Sequence, residues 1–305
     1  MSQNPKRITS ISLGSSARDK AVTATFAGQE FSVERVGTDG DMGLFRQKLV
    51  ELDGKVDAFG LGGTDMYVYA AGRRYVFREI EKLASAAVKT PVVDGSGLKN
   101  TLERETVARL QRDGTVDFVR SKVLLVSAVD RFGMAEALDA AGASVVYGDL
   151  MFALGLPLPL RSLSAVSRAA RALLPVVTRV PFKYLYPTGE KQNTITPQWG
   201  KFYAEADVIA GDFPYIRRYM PDDLQGKTVL TNTITQDDVQ QLTRRGVKTL
   251  ITTTPELDGR SFGTNVMEGV LVALSGRKPS ELTPDDYLTL LAQLDWQPRV
   301  ETLNP

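Results

Sequence analysis

At 305 residues the chain is long enough for two domains of ordinary size, each with its own core. Its 37 Lys and Arg against 36 Asp and Glu leave a net charge of +1, which excludes a general pull toward nucleic acid or an anionic membrane and leaves a small-molecule partner. With 0 Cys and 0 His there are no disulfides, thiolate metal sites, cysteine nucleophiles or histidine bases, so acid–base work falls to Lys, Asp, Glu or Tyr and no metal site is predicted.

The first residues, Met1 to Arg7, lack the apolar core of a signal peptide. The most apolar segment, Leu150 to Leu160, is too short for a span and is broken by Gly155, Pro157 and Pro159. The expectation is a cytoplasmic protein without a membrane segment.

In chain order, Ile8 to Leu13 reads as a strand. Gly14 to Lys20 follows as a solvated turn, with a phosphate nest as the alternative. Val22, Ala24 and Phe26, then Phe31 and Val33, alternate about Gly28 as a hairpin, and Met42 to Leu52 is a helix. The strand Val56 to Phe59 runs into Gly60-Leu61-Gly62-Gly63-Thr64-Asp65. A tyrosine-rich hairpin follows this loop instead of a helix, so a phosphate would find no helix dipole there; Asp65 stands at the rim of a loop open to a ligand. Glu79 to Val88 reads as helical and Thr90 to Val93 as a strand ending in Asp94-Gly95-Ser96-Gly97-Leu98-Lys99. Asn100 with Glu103 has the spacing of a capping box for a helix from Thr101 to Arg112. Asp94 and Lys99 thus share one strand-to-helix loop. A domain boundary falls at Gly114 to Arg120, dividing the chain into 1–117 and 118–305.

The second part opens with a strand–loop–helix–strand unit. Val123 to Val126 is a buried strand, Met134, Ala137, Leu138 and Ala141 have helical spacing, Gly142 ends the helix, and Val145 to Tyr147 leads to Asp149. This is the layout of a Rossmann-like dinucleotide-binding unit, in which an acid about 20 residues after the first loop glycine bonds a ribose. The loop has Ser127, Val129 and Phe132 where glycines are expected, and only Gly133 nearby. The helix Ser162 to Val180 precedes a long polar stretch, Pro181 to Gly200, with Lys191 in a lid-like loop. Three later strands end in polar tips: Gly211-Asp212-Phe213-Pro214-Tyr215, Thr231-Asn232-Thr233 and Thr252-Thr253-Thr254. Were they parallel, their tips would line one crevice. Arg260-Ser261-Phe262-Gly263-Thr264-Asn265 leads into an apolar helix, Val266 to Leu274. Thr283-Pro284 starts a last helix, and the tail after Pro298 reads as loose. The predicted fold class is α/β: an N-terminal α/β domain with hairpins, then a doubly wound parallel-sheet domain.

The unit ending at Asp149, Gly211-Asp212-Phe213-Pro214-Tyr215 and Arg260-Ser261-Phe262-Gly263-Thr264-Asn265 resemble bacterial proteins of the quinate/shikimate 5-dehydrogenase type. The resemblance implies a substrate domain followed by a nicotinamide-binding domain and oxidation of a ring alcohol, with NAD as cofactor. On this reading Lys99, assisted by Asp94, takes the hydroxyl proton, which requires a lowered lysine pKa. Arg131, Gly133, Asp149, Asn232 and Thr252 hold the cofactor, and Asp65, Lys191, Arg260 and Asn265 hold a polyhydroxylated acid. The alternative is a non-redox Rossmann-like nucleotide- or metabolite-binding protein or transferase using the same crevice, for which the missing glycines need no explanation.

Overall fold

The computed structural model describes residues 4–181, 195–254, 256, 257, 260, 261 and 263–305. The chain is a mixed α/β protein with two parallel-sheet lobes.

The first lobe contains β1 (Lys6–Ser12), β2 (Lys20–Phe26), β3 (Gln29–Gly37), α1 (Met42–Leu52), β4 (Ala58–Gly62), the hairpin β5 (Tyr67–Ala70) and β6 (Arg73–Val76), α2 (Arg78–Ala84), β7 (Val92–Val93) and α3 (Ser96–Arg112). Its sheet has the order β2-β3-β1-β4-β7, with β3, β1, β4 and β7 parallel and β2 antiparallel at the edge. The expected hairpin is present, yet it serves a sheet that is mostly parallel.

The second lobe contains β8 (Lys122–Leu125), α4 (Phe132–Ala140), β9 (Ser144–Tyr147), α5 (Asp149–Phe152), α6 (Leu163–Val177), α7 (Gly200–Glu205), β10 (Val208–Ala210), α8 (Phe213–Tyr219), β11 (Thr228–Thr231), α9 (Gln236–Arg244) and β12 (Thr249–Thr252). The short pair β13 (Glu256–Leu257) and β14 (Arg260–Ser261) precedes α10 (Thr264–Ser275), α11 (Pro284–Gln293) and β15 (Arg299–Thr302). The second sheet runs β15-β12-β11-β10-β8-β9, all parallel except β15. Its central strands are short apolar runs because both faces are covered: Val123, Leu124 and Leu125 are buried, as are Val208, Ile209 and Ala210.

The pleat of the first sheet divides its side chains between two cores. Ile11, Phe59 and Leu61 pack with Phe45 and Leu49 of α1. Ile8, Phe31, Val33 and Ala58 point the other way and meet Val266, Met267, Val270 and Leu271 of α10. A helix from the far end of the chain therefore completes the core of the first lobe, and α11 packs on α3 beside it. The backbone passes between the sheets three times: after α3, before α10 and before β15.

Two local expectations change. Asn100 and Glu103 do not cap a helix, because α3 starts at Ser96 after Gly95, which is left-handed at φ 95°. A Cβ at Gly95 would also lie 2.8 Å from the Asn265 nitrogen. The tail is not loose either: Ile251 pairs with Val300 and Thr249 with Thr302, so β15 closes the edge of the sheet. That strand is set by the ladder and by Trp296, whose indole donates to the Thr253 carbonyl (3.0 Å), and its own residues show no buried face.

Candidate functional site

In parallel sheets the carboxyl ends of the strands point one way and are followed by loops that carry the chemistry. Here both sheets direct those ends at a shared cavity of about 280 Å³. The first lobe contributes Ser12 at the end of β1, Gly62 to Asp65 after β4 and Asp94 after β7. The second contributes Asp130 and Arg131 after β8, Asp212 after β10 and Asn232 after β11, and the N-terminus of α10 adds Thr264 and Asn265.

A buried charge network lies against this cavity. Lys99 and Glu103 lie one turn apart on α3 and so share a face. The Lys99 ammonium donates to Asp130 (2.7 Å) and to Asp65 (3.1 Å). The Arg131 guanidinium, 1% exposed, donates to Glu103 and, at 2.7 Å, to Asp212. Asp130 lies 3.9 Å from Arg131 and joins the two groups. Two cations are thus enclosed by four carboxylates from four separate segments, and each buried charge has an opposite charge in contact.

Proton affinities follow from this packing. Burial pushes the Asp65 carboxyl up to about 7 against the pull of Lys99. Asp130 stays below the usual carboxylate range because, despite burial, Lys99 and Arg131 favour its anion. For Lys99, burial acts downward, but Asp130 and Asp65 outweigh it and raise its pKa above the ordinary lysine value. A lysine held so firmly charged cannot take a proton from an alcohol. The proposed base role is corrected on that ground. Asp94 does not assist it: its carboxylate accepts from the Ser96 amide and hydroxyl, both at 2.9 Å, and from the Met66 amide.

Six of the predicted site residues, Asp65, Asp94, Lys99, Arg131, Asn232 and Asn265, come together around the cavity. Gly133, Asp149 and Thr252 do not line it. The Gly133 amide donates to Asn100 Oδ1 (2.7 Å), and a Cβ at this position would collide with the Asn100 carbonyl. The first turn of α4, where a pyrophosphate needs open amides, is therefore covered by α3. Asp149 folds back on its own loop, accepting from the Val129 amide (2.7 Å). Burial raises its carboxyl to about 6. Thr252 is fully buried and donates to the Thr254 carbonyl (2.9 Å). Arg131 is committed to two carboxylates and cannot also neutralise a pyrophosphate. Lys191 and the Arg260 side chain lie outside the described residues.

Sequence reasoning missed Glu103, Asp130 and Asp212 as partners of these cations. Glu103 had the spacing of a cap, and Asp130 looked misplaced beside a phosphate loop. It also missed Thr64 and Thr264, residues of the cavity wall whose hydroxyls are themselves buried and lack a hydrogen-bond partner among the described residues.

The close approach at Gly133 is testable. Gly133→Ala is expected to destabilise the fold by about 1–3 kcal/mol through overpacking against α3. A shift in the urea midpoint reads this directly, and an unchanged midpoint would mean that the α3–α4 contact is loose.

Comparison with known proteins corrects the dehydrogenase reading further. Among functionally curated proteins none matches the sequence. Similar solved structures include glutamate dehydrogenase from Thermus thermophilus, 14% identical, covering 95% of this chain and 74% of that chain with a TM-score of 0.42. They also include a glucose-galactose binding protein from Geobacillus stearothermophilus, 8% identical, covering 99% and 98% with a TM-score of 0.38. A third is the 5-methylthioribose transporter solute binding protein from Thermotoga lettingae, 10% identical, covering 98% and 86% with a TM-score of 0.36. Others bear the names of sugar-binding or solute-binding proteins and none of these is a quinate/shikimate dehydrogenase; that resemblance, with its oxidoreductase and NAD assignments, is not sustained, since the first turn of α4 is covered by α3 and Asp149 turns back on its own loop. Two family models match the sequence: residues 7–94 match a domain of unknown function (DUF8753), and residues 97–303 match another (DUF8754). The second match spans more than half of the sequence, and the chain belongs to the DUF8754 family.

Proposed function

We propose that this protein binds a small, polar, polyhydroxylated metabolite in the cavity between its lobes, without redox chemistry. The observation that carries the reading is the convergence of the carboxyl ends of both parallel sheets on one cavity whose wall carries polar and charged side chains. Its volume, about 280 Å³, lies at the low end of the roughly 300–1,000 Å³ typical of small-molecule sites and suits a metabolite better than a dinucleotide. The wall offers matched functions for hydroxyl groups: the carboxyl of Asp65 and the amides of Asn232 and Asn265.

In this reading Lys99 and Arg131 are positioning residues. They hold Asp65, Asp130 and Asp212 in place at the cavity wall, and a preorganised wall loses little entropy on binding. In this reading the lobes divide near 117/118, with α10 and α11 belonging to the first.

Thermal-shift screening against monosaccharides, polyols and sugar acids, followed by calorimetry, tests the reading. At least one such compound is expected to raise the melting temperature saturably. Asn232→Ala should weaken its binding by about tenfold, the loss of one to two hydrogen bonds. NAD is expected to leave the melting temperature unmoved. A panel in which no polyhydroxylated compound binds at millimolar concentration would sink the proposal.

A further inference from the structure

The interior of the molecule does not divide where the lobes do. One connected set of buried apolar side chains starts on the first sheet at Ile11 and Leu61, continues through Val107 of α3 and Leu138 of α4, and ends on the second sheet at Leu125 and Ala210. The opposite face of the first sheet, with Ile8 and Phe31, is closed by Leu102 of α3 and by Met267 and Val270 of α10. Residues 7–94, which match one family model, therefore form a sheet that depends on helices from residues 97–303, which match the other. The outer face of the second sheet differs: Ile209 and Val229 pack in a core drawn from residues 97–303 alone.

The polar contacts between the lobes are buried as well. Lys99 of α3 joins Asp65 of the first lobe to Asp130 of the second, and Arg131 of the second lobe joins Glu103 of α3 to Asp212. Parting the lobes would pull opposite charges from one another where Arg131 and Glu103 are each 1% exposed, a far larger cost than parting a surface ion pair. The backbones meet too. The Gly133 amide of α4 donates to Asn100 Oδ1 of α3 (2.7 Å), and a Cβ at Gly133 would collide with the Asn100 carbonyl, so the two helices have no room to slide. Lobes move freely against each other where the surface between them is small and polar; a shared apolar core removes that freedom.

We infer that the two lobes form one cooperative unit in a fixed relative arrangement, so that the cavity between them has its full shape without a ligand. Such an arrangement is independent of what the cavity binds. On the reading of the cavity as a metabolite site, it means that the ligand enters and leaves without separation of the lobes. No part of the binding energy is then lost to closing them, and the affinity is not reduced by a minor closed population.

The two tryptophans of the chain test the cooperativity. Trp199 packs on the second lobe's own core, and Trp296 packs on the core that α10 completes for the first. In Trp296→Phe and Trp199→Phe the remaining indole therefore reports one lobe each. In both variants the urea midpoint from fluorescence is expected to coincide with that from the far-ultraviolet circular dichroism of the whole chain. Adding Gly133→Ala, in the second lobe, or Phe31→Leu, in the first, should lower both signals together in either background. Midpoints that separate, or a shift confined to the lobe that carries the substitution, would overturn the single unit. A second measurement needs neither tryptophan variant. Because the chain has no cysteine, spin labels at Gln47→Cys on α1 and Gln240→Cys on α9 read the distance between the lobes without background. One narrow distance distribution is expected in the ligand-free protein. A broad or two-peaked distribution would overturn the fixed arrangement while leaving the cavity as a metabolite site.

Discussion

Arg131→Met is expected to lower the stability of the protein by about 3–5 kcal/mol, the usual cost of removing one partner from a buried ionic group. The guanidinium is enclosed by Glu103 from α3 and Asp212 from the loop after β10, with Asp130 at 3.9 Å. Without it three carboxylates are left facing each other in a poorly solvated space, and Lys99 can serve only some of them. Urea unfolding of the variant should therefore show a midpoint far below that of the parent. Adding Glu103→Leu and Asp212→Asn should recover much of the loss, since an apolar or neutral replacement of the whole group removes the desolvation problem. A loss below about 1 kcal/mol for Arg131→Met alone would mean that water reaches the network and screens it.

Stability is expected to fall as the pH rises from mildly acidic to mildly alkaline. Burial raises the Glu268 carboxyl from 4.5 to about 8, with Asp94 adding a like charge. Asp65 rises from 3.8 to about 7 and Asp149 from 3.8 to about 6, burial being the first cause in each. In each case the folded state keeps a proton that the unfolded chain releases, so the unfolded state binds fewer protons across the window between the two values. The stabilisation is complete below the unfolded pKa and is lost as the pH passes through the folded one. Urea midpoints should decline between about pH 5 and pH 8, with Glu268 governing the upper part. Asp286 acts in the opposite sense, and only in acid: the Thr283 amide and hydroxyl and Arg277 hold it down to about 2, so its contribution is lost as the pH falls toward that value. Glu268→Gln should flatten the alkaline side of the profile. An unchanged slope in that variant would assign the dependence to Asp65 and to Glu103, which burial also raises to about 7.

Glu268 also shows how distant segments meet at the ends of the strands. Its carboxylate accepts from the Gly95 amide (2.7 Å) and the Tyr287 hydroxyl (2.8 Å), joining the start of α3 to α10 and α11. No spacing rule connects residues 95, 268 and 287. The contact exists because α10 returns to cover the first sheet.

Much of the local structure was legible in the sequence because it depends on near neighbours. The helix Met42–Leu52 has the predicted ends, with Asp41 accepting from the Gly43 and Leu44 amides. The start at Thr283-Pro284 is present as read, and Thr235 with Asp238 closes a capping box on α9 through the same near-neighbour spacing. The parallel strands β8, β10, β11 and β12 follow from short apolar runs, and the tips after β8, β10 and β11 face one crevice, whereas that of β12, Thr252 to Thr254, is buried away from it. Asp65, Lys99 and Asn232 were found because strand ends in α/β sheets carry polar residues for a reason. The pairings of these residues were another matter. Asn100 and Glu103 carried the spacing of a cap and became contacts to Gly133 and Arg131. Asp130 was counted against a phosphate and became the partner of Lys99.

Sequence alone thus determined the α/β class, the order and limits of most elements, and the polar character of the strand ends, all of which follow from periodicity and capping within a few residues. Tertiary structure decided that the first sheet is largely parallel as well and that both sheets open onto one cavity, that α10 belongs to the first core, and that the segment from Ser127 to Gly133 packs against α3 instead of lying open for two phosphates. The physical reason is the range of the forces. Side-chain spacing encodes which face of an element is buried, while the choice of partner for a buried charge is made by whichever opposite charge the chain brings within hydrogen-bonding distance from a remote segment.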